Sequence, residues 1–255
     1  MFLDLHQAVA DYVAEISKQT STKNGNILSL TWGECLTYLQ FLEIIHQRYQ
    51  DNFKTFLSII EREKIIASKH KGGSWEMDAE ELELMNHSRI LVAKLRLDIE
   101  SFLTFTAVLL NKLTNYPQRY FKPPILRGVR CGSHHKFWKD IQIGNKIDSA
   151  PSADILKNVE WMQKNIIDFR DHLIMHTLKA DQIERQLIRG FSYSPEKGGS
   201  IMTSVLYPDI EDGESKQYQS VELQIAVDKL KEFIPQVIEF YRSNKNNSIL
   251  GLDEE

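Results

Sequence analysis

One segment of the chain carries residue types that can act together on a phosphate. Residues 165–178 read NIIDFRDHLIMHTL, in which Arg170 is followed at once by Asp171 and, six positions after Arg170, by His176. The planar guanidinium of arginine matches phosphate oxygens, and histidine transfers protons near neutral pH. This combination predicts chemistry on an anionic substrate.

The position of Arg170 on its helix is unusual for a charged residue. At about 100° per residue from Ile166, the apolar residues form one arc, Arg170 falls near its middle and His176 at its edge. An arginine in an apolar stripe needs a carboxylate partner, a path to water or a bound anion. Glu100 and Glu160 are candidate carboxylates for a purely structural role.

The spacing of Arg170 and His176 adds a geometric constraint. Six residues of helix rise by about 9 Å and rotate by about 120°, so the two side chains are not neighbours on one straight helix. Either the helix distorts near Met175, or a second copy brings the complementary pair across a twofold axis. The second option predicts a homodimer with a shared cleft.

The run RDHLIMH, residues 170–176, resembles the R-x(4–6)-H signature of the HEPN superfamily, α-helical proteins many of which are ribonucleases. That signature favours a polar residue directly after the arginine, and Asp171 supplies one. The resemblance extends loosely to KLRLDIESFLTFTAVLLNKL and GSHHKFWKD and covers residues 79–179. The N-terminal region and the chain after residue 186 depart from the pattern.

The resemblance implies a metal-independent endoribonuclease with its site at a dimer cleft, no cofactor, and the ribose 2′-hydroxyl as nucleophile. Arg170 would neutralise the phosphate, His176 would act as general base or acid, and Asp171 would orient one of them. Relatives often act in toxin–antitoxin or antiphage defence, which implies an antitoxin-like protein partner. The alternative is a non-catalytic HEPN-like module that binds RNA, a nucleotide or a protein.

A different chemistry is open to the same helix. Asp168, His172 and His176 are spaced four apart and share one polar edge, a spacing that metal ligands use. The residue after His172 is Leu173, so the Glu of the HExxH hydrolase motif is missing. A solvated histidine pair is the simpler interpretation, and a metal-dependent enzyme is the third hypothesis.

A basic region spans residues 112–146. It holds eight Lys or Arg residues and one acid, Asp140, and therefore carries +7, whereas the whole chain carries −4. Such a concentration of positive charge indicates a surface that binds a polyanion such as RNA. The interleaved aromatic residues either stack on unpaired bases or fill the core; they are Tyr116, Tyr120, Phe121, Phe137 and Trp138. The predicted RNA-binding residues are Arg119, Lys122, Arg127, Arg130, His134, His135, Lys136 and Lys139.

The bulk composition fits an ordinary globular protein. Of its 255 residues, 42 % are hydrophobic and 26 % charged. The two cysteines, Cys35 and Cys131, make a disulfide framework implausible, and Cys131 with His134 and His135 is only half of a zinc site. The N-terminus lacks the basic n-region of a secretory signal peptide, and the apolar run around residues 101–113 is too short to span a membrane. We expect a cytoplasmic location and no membrane contact.

Most of the chain shows apolar residues at helical spacing. Thr31 and Ser220 are predicted to cap two helices, with breaks near residues 51–52 and 86–88 and a bend at Pro235. Residues 21–26 and 117–133 read as loops, and residues 185–208 as a hairpin around a Glu-Lys-Gly-Gly turn. The predicted helices cover residues 5–16, 31–68, 78–116, 135–142, 153–180 and 220–241.

These elements predict an all-α protein, a HEPN-like helical bundle with a small C-terminal β-hairpin. Residues 1–186 would form the bundle, with the HEPN-like core at about 79–180. Residues 187–255 would add the hairpin and a C-terminal helix, packed on the same domain.

Overall fold

The computed structural model describes residues 2–19, 23–69, 76–144, 147–171, 187–194, 199–206 and 221–250. These residues are mainly helical, which confirms the predicted all-α class. A π turn at Gln163–Ile167 and 3-10 turns at Tyr116–Arg119 and Lys245–Asn247 complete the helical structure of the described residues. The helices are α1 (Leu3–Gln19), α2 (Lys23–Lys69), α3 (Ala79–Leu113), α4 (His134–Gly144), α5 (Ala153–Met162), α6 (Asp168–Arg170) and α7 (Leu223–Ser243).

An antiparallel pair of long helices forms the largest part of the fold. α2 has 47 residues and α3 has 35, so α2 is about 70 Å long at 1.5 Å per residue. Glu34 near one end of α2 meets Lys112 near the far end of α3, and Arg48 meets Asp98 between them. This pairing fixes the direction of the two helices.

The predicted boundaries of these helices are partly wrong. α2 begins at Lys23 inside the predicted loop, and Thr31 lies within it, donating from Oγ1 to the Leu28 carbonyl at 2.7 Å. Neither predicted break is found: α2 is helical through residues 51–52, and α3 is helical through residues 86–88. At the first of these places Asn52 donates to Asp98 at 3.1 Å, so its polar side chain has a partner on α3.

α3 starts where the sequence predicted, and a capping box sets this start. The Asp78 side chain accepts from the backbone N–H of Glu81 at 2.8 Å, and the Glu81 carboxylate accepts from the backbone N–H of Asp78 at 3.1 Å. Two of the unpaired N–H groups of the first turn are thereby satisfied.

We expect Asp78→Ala to lower the free energy of unfolding by about 1 kcal/mol, because it removes this cap. Urea denaturation followed by circular dichroism measures the change. Glu83→Ala, an exposed acid on the same helix, is the control and should leave the midpoint nearly unchanged. Equal effects of the two substitutions would mean that the box contributes nothing.

The main core lies where α1, α2 and α7 meet. Trp32 of α2 is fully buried and packs its ring against those of Tyr12, Tyr116 and Tyr241, with centroid distances of 4.9, 5.5 and 5.6 Å. α7 contacts α1 and α5, so the C-terminal helix belongs to the same packed body as the N-terminal one. Pro235 lies on the exposed side of α7. Proline has no backbone N–H to donate, and here this loss falls on the solvent side of the helix and not on its buried face.

The predicted hairpin is present as β1 (Leu187–Ser194) and β2 (Gly199–Leu206), paired antiparallel from Leu187 opposite Leu206 to Ser194 opposite Gly199. A two-residue strand, β3 (Val221–Glu222), pairs with β2 and leads directly into α7. This third strand was not predicted. It occupies the place where Ser220 was expected to start a helix.

None of the helices that the structure describes is long and apolar enough to pass through a membrane.

Candidate functional site

The segment that carries Arg170 is reached through an irregular stretch of helix. α5 begins at Ala153, because the Ser152 hydroxyl accepts from the backbone N–H of Ile155 at 3.2 Å. The π turn follows α5, and α6 with Arg170 follows the π turn. Such turns insert one residue into the helical repeat and are frequent at functional sites.

Arg170 lies next to the buried part of its segment. Ile166 and Ile167 are buried, and this part of the chain contacts α3. The Arg170 side chain keeps 15 % of its surface exposed. Ideal helical spacing placed it near the middle of the apolar arc, and the remaining exposed surface shows that the side chain is not sealed inside the core. Arg170 therefore lies at the margin of the core, with a path to water.

Arg170 is bound to its neighbour in sequence. Its Nε donates to Oδ1 of Asp171 at 2.8 Å, and its Nη2 donates to the same oxygen over a shorter contact. The Asp171 side chain is 35 % exposed. Of the two carboxylates considered from the sequence, Glu100 binds Arg96 on its own helix, and Glu160 is exposed.

The structure thus brings together two of the three predicted catalytic residues, Arg170 and Asp171, while His176 lies outside the described residues. The predicted metal site is likewise incomplete in the structure, because His172 and His176 both lie outside the described residues. Its third member, Asp168, accepts from Nε2 of Gln163 at 2.7 Å.

No group of three or more metal-binding side chains occurs in the part of the chain that the structure describes. Cys131, His134 and His135 therefore form no such group. Cys131 is half-buried, and this burial raises the pKa of its thiol.

Part of the charge of the basic region is neutralised within the chain. Nε and Nη2 of Arg130 bind the Asp140 carboxylate at 2.8 and 2.7 Å, and the backbone N–H of Arg130 adds a bond at 3.0 Å. These bonds lower the pKa of Asp140 to about 2. Lys112 binds Glu34 at 2.5 Å. Arg130, a predicted RNA-binding residue, is therefore already paired.

His134 lies in the core and not on the surface, contrary to its predicted place among the RNA-binding residues. Its side chain is 1 % exposed and packs against the ring of Phe233 with a centroid distance of 5.4 Å. Burial, reinforced by His135, lowers its pKa to about 3. The apolar surroundings keep the ring neutral, so it offers no charge to an anion.

The aromatic residues of the basic region fill the core and do not form a stacking surface. All five are buried, which selects the second of the two interpretations open from the sequence. Trp138, for example, packs against Phe233 and Phe240 with centroid distances of 5.9 and 5.2 Å. The five are Tyr116, Tyr120, Phe121, Phe137 and Trp138.

The other predicted RNA-binding residues remain at the surface. Lys122 is half-exposed and donates from Nζ to the Asn246 carbonyl at 3.0 Å. The exposed members are Arg119, Arg127, His135, Lys136 and Lys139.

Two shallow, mainly apolar grooves flank Arg127, and the sequence did not predict them. Gly128 has a φ of +87°, which L side chains rarely adopt, so glycine sets the turn directly after Arg127. The proline pair followed by Arg-Gly is the signal that could have pointed to a shaped loop here. The first groove is lined by Gln118, Phe121, Pro123, Pro124, Leu126 and Arg127. The second is lined by Ile125, Arg127, Gly128, Val129, Asp140, Ile141, Ile143 and Gly144.

Comparison of the chain with protein-family models, with curated proteins and with solved structures finds no match in any of the three.

Proposed function

We propose that the protein is a HEPN-like endoribonuclease that cleaves RNA without a metal, at a cleft shared by two copies, in the cytoplasm. Arg170 binds the phosphate, Asp171 orients the guanidinium, and His176 acts as general base or acid. The observation that carries the proposal is the setting of Arg170. It is a mostly buried arginine three residues after a π turn, bonded to the next residue in sequence and partly accessible to water.

The hydrogen bonds of Arg170 leave capacity for a ligand. A guanidinium has five N–H donors. Among the residues that the structure describes, Asp171 is the acceptor for Nε and for Nη2, and these two bonds do not use the N–H groups of Nη1 or the second N–H group of Nη2. A guanidinium whose orientation is fixed before the substrate arrives stabilises the developing negative charge of a phosphodiester transition state well. This is the role that the resemblance implies for the pair.

Cleavage of RNA in excess chelator tests the proposal. We expect RNA cleavage to persist in chelator and to fall by about 100-fold or more in Arg170→Ala and His176→Ala. Asp171→Asn retains an acceptor oxygen and should lose less activity than Asp171→Ala. The control is Arg96→Ala, which removes a half-buried arginine that is also bonded to a carboxylate. Activity lost in chelator, or retained in Arg170→Ala, contradicts the proposal.

The shared cleft has its own test. If Arg170 of one copy acts with His176 of the other, mixing inactive Arg170→Ala with inactive His176→Ala restores part of the activity through mixed dimers. Light scattering of the wild-type protein should give the mass of a dimer. A monomer at working concentration, or no recovery after mixing under exchange conditions, rules out the shared site.

A second function, binding of RNA without cleavage, is favoured by one specific observation. Nε and Nη2, the edge with which arginine grips a phosphate in bidentate fashion, are both bound to Asp171. A phosphate that needed this edge would have to displace the carboxylate. RNA that is retained by the protein but stays intact would support this second function.

A further inference from the structure

The exposed side of α3 carries a row of uncharged residues. At about 100° per residue, all of them fall within about 40° of Leu97 on the helix, and the row is about 27 Å long. Ile90 and Leu97, the two large aliphatic members, are 55 % and 59 % exposed. The row, which we call the α3 stripe, consists of Ile90, Ala93, Leu97, Ser101, Thr104 and Val108.

The composition of the α3 stripe indicates a contact with another helix. The exposed side of a surface helix usually carries charged residues, whereas aligned and exposed aliphatic side chains mark an interaction surface. The opposite side of α3, which includes Leu95 and Phe102, is buried and supplies the packing within the chain. The α3 stripe is therefore a second apolar face that the fold of one chain does not cover.

The charges beside the α3 stripe fit a second copy of the same helix. Nε of Arg96 donates to Glu100 at 3.2 Å, and both side chains are partly exposed. A twofold axis keeps each flank of a helix beside the same flank of its antiparallel copy. With the axis near residues 98–99, Arg96 therefore lies opposite the partner's Glu100. The middle of the α3 stripe falls at the same place, so the apolar and the charged groups share one centre.

The residues at this centre meet a further condition for pairing with a copy. A side chain close to a twofold axis meets its own equivalent, so a charge there would repel itself. Leu97 and Ser101, the stripe members nearest to the centre, are uncharged. Arg96 and Glu100 lie beside the stripe and are already paired within the helix, so they favour the antiparallel direction and add little affinity. The apolar side chains supply the attraction.

We infer that the α3 stripe is the contact between two copies of this chain, arranged antiparallel around a twofold axis near residues 98–99. The inference rests on the proposed function for the expectation that two copies assemble, and it names the surface that joins them. α3 also contacts α6, the helix that carries Arg170. A dimer built on α3 therefore keeps both Arg170 segments against the paired helices, which a shared cleft requires.

Sedimentation velocity over a dilution series tests this contact. We expect Leu97→Glu to raise the dissociation constant of the dimer about 100-fold or more, because it puts a charge into the apolar contact on both copies at once. The matched control is Leu30→Glu on α2, where the leucine is 71 % exposed, and it should leave the dissociation constant unchanged. Circular dichroism should show equal helix content in all three proteins, because both leucines are exposed.

A mixing experiment separates a second copy from any other occupant of the α3 stripe. At concentrations where the wild type is a dimer, Leu97→Glu and Leu97→Lys should each be monomers. An equal mixture of the two should form dimers again, because each charge then faces its opposite across the axis. A monomeric wild-type protein, equal effects of Leu97→Glu and Leu30→Glu, or no association in the mixture would each overturn the inference.

RNA cleavage by the same proteins separates this inference from the proposed function. A wild-type dimer that Leu97→Glu dissociates but that cleaves no RNA supports the α3 contact and removes the ribonuclease. Cleavage by a wild-type protein whose dimer is unaffected by Leu97→Glu supports the ribonuclease and removes the α3 contact. If both hold, cleavage should fall together with the dimer in Leu97→Glu and stay unchanged in Leu30→Glu.

Discussion

Arg48→Ala is expected to lower the free energy of unfolding by about 3 kcal/mol, because it leaves a buried carboxylate without its cation. Asp98 of α3 is 1 % exposed, and Nε of Arg48 donates to it at 2.6 Å, with a shorter contact from Nη2. After the substitution, the bond from Asn52 at 3.1 Å remains. That single neutral donor does not compensate an ionised group taken out of water.

Replacement of the aspartate should lower the free energy of unfolding less than replacement of the arginine. The Arg48 side chain is 51 % exposed, so in Asp98→Ala the guanidinium turns into solvent and no buried charge remains. We expect a loss of about 1 kcal/mol for Asp98→Ala, and a double variant close to that value. Denaturant titrations of the three proteins measure the order. If Asp98→Ala is the more damaging of the two single substitutions, the pair does not act through burial of the carboxylate.

The second large effect is a loss of stability at mildly acidic pH caused by His134. Its pKa in the folded protein is about 3, against 6.5 when exposed. Between these two pH values the unfolded chain holds a proton on His134 that the folded chain does not, so the free energy of unfolding falls as the pH falls. From this residue we expect a loss of about 2 kcal/mol between pH 7 and pH 5.

Leucine at position 134 should remove most of this pH dependence, whatever it does to stability at pH 7. His46 contributes a smaller dependence of the same sign, because burial lowers its pKa as well. Measurements above pH 5 avoid the titration of Asp140, whose pKa is about 2 in the folded protein. His87→Leu removes an exposed histidine of α3 and should leave the slope of stability against pH as it is. A slope in His134→Leu equal to that of the wild type would contradict the assignment.

Local patterns in the sequence determined most of the helices. Apolar spacing located them, and the predicted start of α3 at residue 78 was correct, because it is fixed by a capping box whose residues lie within one turn. The hairpin followed from two β-prone runs around a glycine turn. The start of α2 was misjudged, because asparagine and glycine weigh little once the rest of a 47-residue helix packs against α1 and α3.

The sequence by itself determined which residues could act on a phosphate: Arg170, Asp171 and the cations of residues 112–146. Only the tertiary structure decided which of these reach the surface. It placed His134 and the aromatic residues in the core, joined Arg130 to Asp140, and set Arg127 between two grooves. The reason is physical: periodicity reports one face of a single helix, whereas burial and ion pairing depend on residues far apart in the chain.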